Sequence, residues 1–111
     1  MSSTRQHKIE RLLQKDLGDI FQKGTNTLFK NKMITVTAVR VSPDLSIAKV
    51  YLSLFPVNDK DEFIQYINDI ENKIRFDLGK RIRHQLRKVP ELKFFIDDSL
   101  DYIENIDKLL K

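Results

Sequence analysis

From Ile47 to Phe55 the sequence alternates with a strict period of two. Ala48, Val50, Leu52 and Leu54 fall on one side, and Lys49, Tyr51 and Ser53 on the other. Successive strand side chains point to opposite faces, so this run reads as a strand with one buried and one solvated face. Just upstream, Ile34 to Val41 is rich in β-branched residues, and Ser42-Pro43-Asp44 lies between the two runs. Proline fixes φ there, and the flanking Ser and Asp bond to nearby backbone, which predicts a turn. The two strands therefore form an antiparallel hairpin. A hairpin with one apolar face must be covered by a second layer.

The remaining segments have the helical period needed to cover it. Ile9, Leu12, Leu13, Leu17, Ile20 and Phe21 form one apolar face, with Lys8, Arg11 and Lys15 opposite. Ser3-Thr4-Arg5-Gln6 fits a capping box at the start of this helix, and Gly24-Thr25-Asn26 ends it. Thr25 to Met33 reads as a loop. Pro56 stops the second strand, Asn58 or Asp59 caps the next helix, and Glu62 is set for a second capping box. From there Phe63, Ile67, Ile70, Ile74, Leu78, Ile82 and Leu86 carry an apolar stripe almost to Arg87. That is long for one helix, and Gly79 costs about 1 kcal/mol relative to alanine inside it. A bend or a break into two helices is predicted between Asn72 and Gly79, and Val89-Pro90 ends the stretch. Leu92, Phe94 and Ile96 alternate with Lys93 and Phe95 as a third strand. Ser99 is predicted to cap a short last helix that buries Leu100, Ile103, Ile106 and Leu110 and shows Asp101, Glu104 and Asp107 to solvent. The expected fold is α+β, ordered α-β-β-α-α-β-α, with helices on one face of a three-stranded sheet and one domain spanning residues 1–111.

Charge is distributed unevenly over these elements. Lys73 to Lys88 holds Lys73, Arg75, Lys80, Arg81, Arg83, Arg87 and Lys88, plus His84, against the single acid Asp77, while the whole chain is only +4. Net charge alone does not separate RNA from DNA or anionic lipid. A solubilising helix, however, would interleave acids to form i,i+4 pairs, and this one does not. At about 100° per residue, Lys73, Lys80, His84 and Arg87 share one side, with Arg81, Arg83 and Lys88 flanking it. Ile74, Leu78, Ile82 and Leu86 lie roughly opposite. Such a helix shows a ridge of cations that releases condensed counterions as phosphates bind. Arg75 projects near the apolar stripe and is expected to pack or pair within the protein.

Catalytic chemistry finds no support in the residues. Asn58-Asp59-Lys60-Asp61-Glu62 lacks the glycine and spacing of a calcium loop. His7 and His84 have no second ligand at metal-binding spacing, and there is no cysteine. Asp97-Asp98 precedes Ser99 at a strand-to-helix junction, where carboxylates serve as caps. The three glycines, Gly18, Gly24 and Gly79, form no phosphate loop. A binding protein with no cofactor and no metal is the reading. The absence of cysteine fits a reducing compartment, and the charged N-terminus is unlike a signal peptide. A cytoplasmic protein without a membrane partner is expected.

Several segments together resemble the bacterial ribosome-binding factor A family over nearly the full length. They are Val41-Ser42-Pro43-Asp44-Leu45 with Ala48-Lys49-Val50-Tyr51, and Ile74-Arg75 with Leu78-Gly79. Arg83-x-x-Leu86-Arg87-x-Val89-Pro90-Glu91-Leu92-x-Phe94 and Asp97-x-Ser99 complete the set. The resemblance implies a type II KH-like fold, α-β-β-α-α-β. It also implies binding to the small ribosomal subunit and its ribosomal RNA, and help with late maturation and rRNA processing, including during cold adaptation. A monomer is expected, with a GTPase taking part in its release and no enzymatic activity of its own. KH-type RNA binders carry a Gly-x-x-Gly loop between two helices, which this family replaces with an Ala-x-Gly kink. Here the matching residues are Ile70-Glu71-Asn72, where Asn72 tolerates positive φ better than most. The RNA contact is expected on Lys73, Lys80, Arg81, Arg83, His84, Arg87 and Lys88, with Lys8, Arg11 and Lys15 as a second contact. The competing reading is a small protein-interaction module whose basic face grips an acidic protein.

Overall fold

The computed structural model describes residues 4–23, 33–55, 60–86 and 88–97. Its elements run α1 (Thr4–Lys23), β1 (Met33–Val41), β2 (Ile47–Phe55), α2 (Lys60–Asp69), α3 (Glu71–Ile82) and β3 (Glu91–Ile96). The α+β order α-β-β-α-α-β is the one the periodicity predicts. The last helix predicted after Ser99, the caps at Ser3 and at Asn58 or Asp59, and the predicted loop from Thr25 as far as residue 32 lie outside the described residues; Met33, the last residue of that loop as predicted, instead opens β1.

The sheet order is β1-β2-β3. β1 and β2 form the antiparallel hairpin, and β3 joins β2 in parallel. A parallel partner requires a crossover, which α2 and α3 provide. Every inward position of β2 anticipated from the alternation is buried: Ala48, Val50, Leu52 and Leu54. They meet Ile9, Leu13, Leu17, Ile20 and Phe21 of α1 and Phe63, Ile67, Ile74, Leu78 and Ile82 of the crossover helices in one core. Phe21 meets Phe94 of β3 edge-on, with ring centroids 5.9 Å apart.

The turn is a tight polar knot. Asp44 Oδ1 accepts hydrogen bonds from the Ser42 hydroxyl (2.7 Å), the Ser46 hydroxyl (2.8 Å) and the Ser46 amide (3.1 Å). These donors hold the Asp44 carboxyl down to about 2, with Ser42 the largest cause and Ser46 next. The knot and the contact of Leu45 with the core hold Leu45 at φ 63. A left-handed backbone costs a non-glycine residue about 1–2 kcal/mol.

Helix side chains occupy both edges of the sheet. On β1, Gln6 donates to the Val41 carbonyl (3.0 Å), Glu10 accepts from the Val41 amide (2.9 Å) and Gln14 donates to the Val36 carbonyl (3.1 Å). Residues 6, 10 and 14 are one helical turn apart and so line one face of α1. On β3, the Asn68 amide bonds both the amide (2.9 Å) and the carbonyl (3.1 Å) of Phe94, and Glu71 accepts from the Leu92 amide (3.1 Å). Unpaired strand edges invite pairing with other chains, and these polar side chains occupy part of each edge.

The long helical stretch breaks at Ile70 (φ −99°, ψ 17°), earlier than the predicted interval of Asn72 to Gly79. Asn68 explains the position. Its side chain also donates to the Ile64 carbonyl (3.1 Å), competing with the backbone ladder just before the break. The break falls on the first of the three kink residues. Asn72 lies in the first turn of α3, and among the described non-glycine residues only Leu45 has positive φ. Helix α3 passes through Gly79 without interruption. A Cβ there would meet Val89 Cγ2 at 3.3 Å, so the glycine admits the segment that returns to β3.

Candidate nucleic-acid interface

Helix α3 is held from below by Ile74, Leu78 and Ile82, all buried. Its outer side and the turn after it present Lys73, Lys80, Arg83, His84 and Lys88, all exposed. The helix ends at Ile82, short of the predicted Arg87. The Ile82 carbonyl accepts from the amides of both Gln85 (2.8 Å) and Leu86 (3.0 Å), which closes the turn. Arg83 and His84 therefore project from a turn rather than a helical face, and Arg83 Nε lies 3.4 Å from His84 Nε2. Arg87 lies outside the described residues.

Tertiary pairing removes Arg81 from the predicted ridge. Its guanidinium reaches Asp19 Oδ2 at 2.5 Å and Asp16 Oδ1 at 3.9 Å on α1, and the side chain is only 28% exposed. Arg81 also holds the Asp19 carboxyl below its usual range, followed by Lys23. It is a strut between α1 and α3. Arg75 pairs within the protein as expected, donating to the Val89 carbonyl at 2.7 Å rather than to an acid. Lys73, Lys80, Arg83 and Lys88 form no ion pair among the described residues.

An aromatic residue that the helical period does not predict lies among these cations. Phe76 is 65% exposed on α3, and Lys80 Nζ lies 4.5 Å from its ring centroid. Because Phe76 lies off the apolar stripe, its exposure was readable only as an apolar residue out of phase. Together with Asn72, Arg75, Gly79, Lys80, Arg83, Lys88 and Val89 it lines a groove of about 620 Å3. A larger hollow of about 810 Å3 lies between α1 and β1, but its acids Asp16 and Asp19 are those bound by Arg81. The groove on α3 can take a phosphate on its cations and an unstacked base on its ring.

A helix C-terminus favours cations, which accounts for Lys80 and Arg83 on stability grounds alone. Lys73 is in the first turn, where the dipole opposes it, so helix stability does not explain the ridge. Lys8, Arg11 and Lys15 are exposed on α1, within the same helical layer.

The sequence model described as ribosome-binding factor A matches residues 5–110. This chain belongs to the ribosome-binding factor A family. It is 49% identical to the ribosome-binding factor A of Flavobacterium johnsoniae over 111 residues, which is 99% of this chain and 85% of that protein. With the Christiangramia forsetii protein of the same name it shares 47% over 110 residues, 98% of this chain and 84% of the other. Among solved structures, the crystal structure of ribosome-binding factor A from Thermus thermophilus superposes with a TM-score of 0.68 at 24% identity. That match covers 82% of this chain and 94% of the other. A homology model of the Thermus thermophilus ribosome-binding factor A, fitted into the cryo-EM map of a complex of that factor with 30S, gives a TM-score of 0.66 at 25% identity, covering 82% and 93%. A ribosome-binding factor is a binding protein rather than an enzyme. No helix among the described residues is long and apolar enough to cross a membrane.

Proposed function

We propose that this protein binds the small ribosomal subunit during assembly, docking on ribosomal RNA through the cationic groove of α3. The observation that carries the reading is the exposed ring of Phe76 in a groove lined by the exposed cations Lys80, Arg83 and Lys88, with exposed Lys73 on the same helix, none of the four in an ion pair among the described residues. His84 and Arg87 belong to the same contact by sequence position, and Lys8, Arg11 and Lys15 supply the second contact. Arg81 is left out because Asp19 neutralises it. In this reading the whole of residues 1–111 acts as one monomeric, cytoplasmic domain. The factor holds RNA in an immature arrangement while late maturation and rRNA processing proceed, including in the cold, and an assembly GTPase takes part in its release.

Sedimentation with purified small and large subunits, at two salt concentrations, tests the assignment. Co-pelleting with the small subunit alone, weakened at higher salt, is the expected result. Arg83→Glu/Lys88→Glu should lower that binding at least tenfold without loss of the fold. Retained co-pelleting of this double variant would refute the groove as the docking site.

A further inference from the structure

The face of the sheet opposite the helices carries a second set of cations and rings. Register places Arg40 of β1 against Lys49 of β2, and Lys49 against Lys93 of β3. All three are exposed, and none forms an ion pair among the described residues. Neighbouring strands are about 4.8 Å apart, so the three charges span roughly 10 Å in a single row. Like charges directly opposite each other destabilise a sheet, so folding gives no reason for this row. In the next row, Tyr51 stacks on Phe95 with ring centroids 5.6 Å apart and planes at 29°, and Phe95 is 40% exposed. Acids on this face lie to either side of the two rows. Glu91 pairs in register with Ile47, and Asp97 accepts the hydroxyl of Thr37, the extra residue of the bulge between Val36 and Ala38.

We infer that this open face is a second RNA-binding surface, and that its ligand is a single-stranded segment. The row Arg40-Lys49-Lys93 takes successive phosphates while bases lie on Phe95 and Tyr51. Rings on a sheet surface reach only unstacked bases, which excludes the interior of a duplex. Three adjacent cations beside two rings match a nucleotide chain, in which charge and ring alternate at short spacing. The helices cover the other face of the sheet, and this surface shares no residue with the α3 groove, so one molecule can hold two RNA segments. The inference rests on the register and exposure of these residues, not on the groove.

Isotope-labelled full-length protein titrated with a short single-stranded oligouridylate, and separately with an RNA hairpin duplex, provides the test by amide NMR shifts. Shifts at Lys49, Tyr51, Lys93 and Phe95 are expected with the single strand, and they should persist in Arg83→Glu/Lys88→Glu. Lys49→Glu/Lys93→Glu should weaken single-strand binding about tenfold and reduce the slope of log affinity against log salt by about 1.4. Phe95→Ala should weaken it by about fivefold or more. Lys49→Glu alone should melt at or above the wild-type temperature, because it then lies between Arg40 and Lys93. Lower affinity with undiminished stability separates a binding role from a structural one. Unchanged affinity in the double variant overturns the inference, as do equal shifts with the duplex. It is also overturned if nuclear Overhauser contacts in the free protein place residues 98–111 on Phe95, since the chain would then cover this face itself. Loss of α3 shifts with retention of these would count against the groove alone.

Discussion

Two neighbouring arginines show how one contact changes a residue's role. Arg81 and Arg83 are equivalent in sequence, each a cation in the same basic run, yet Arg81 is bound by Asp19 and Asp16 while Arg83 is exposed. Arg81→Met is therefore expected to lower the melting temperature by a few degrees and leave subunit co-pelleting intact, whereas Arg83→Glu should weaken co-pelleting with a smaller change in melting temperature. Thermal melts and sedimentation of the two variants decide it. Asp44 is the counterpart among acids. Its carboxyl is depressed to about 2 from an unfolded value of 3.8, so it adds stability at any pH above the unfolded value. That contribution is lost as pH falls from near 4 towards 2. The melting-temperature difference between wild type and Asp44→Ala should be constant near neutrality and shrink across that acidic window.

At the scale of elements, helix side chains bond backbone groups at both edges of the sheet. Gln6 and Glu10 are buried on α1 because they serve Val41, and a periodicity argument that counts only apolar residues passes over them. Glu10→Ala leaves the Val41 amide without a partner in a buried setting, which should cost about 1–3 kcal/mol. Denaturant unfolding measures the loss, and faster amide exchange at Val41 would locate it. Asn68→Ala frees both backbone groups of Phe94 and should likewise speed exchange there. It should also let α2 and α3 run together more smoothly, because the competing bond to the Ile64 carbonyl disappears. The break at Ile70 is thus tied to the side chain of Asn68, which also bonds Phe94 of β3.

For the molecule as a whole, the helical layer shows one set of cations and the open sheet face another. If the two act independently, their contributions to RNA binding are additive in free energy. The quadruple variant Lys49→Glu/Lys93→Glu/Arg83→Glu/Lys88→Glu should then lose the product of the two separate fold-losses for an RNA long enough to reach both faces. Measured affinities of wild type, both double variants and the quadruple variant close this cycle. A quadruple loss equal to that of one double variant, with the other double variant binding as wild type, would mean that only one face contacts RNA.

The strands, the helices and most of the core were legible in the sequence because periodicity records which face of an element is buried. The period of two in Ile47–Phe55 and the helical spacing from Ile9 to Phe21 each carry that record locally. The family was legible too, through short segments in a fixed order along the chain. What the tertiary structure decided depends on residues far apart in sequence. The pairing of Arg81 with Asp19 bridges 62 residues, and the cap of Gln6 on Val41 bridges 35. The row Arg40-Lys49-Lys93 exists only because β3 adds to β2 in parallel at one register. Local patterns specify what each element must bury, whereas the identity of the neighbour across a packed interface is set by the three-dimensional arrangement, and with it which cations remain free to bind.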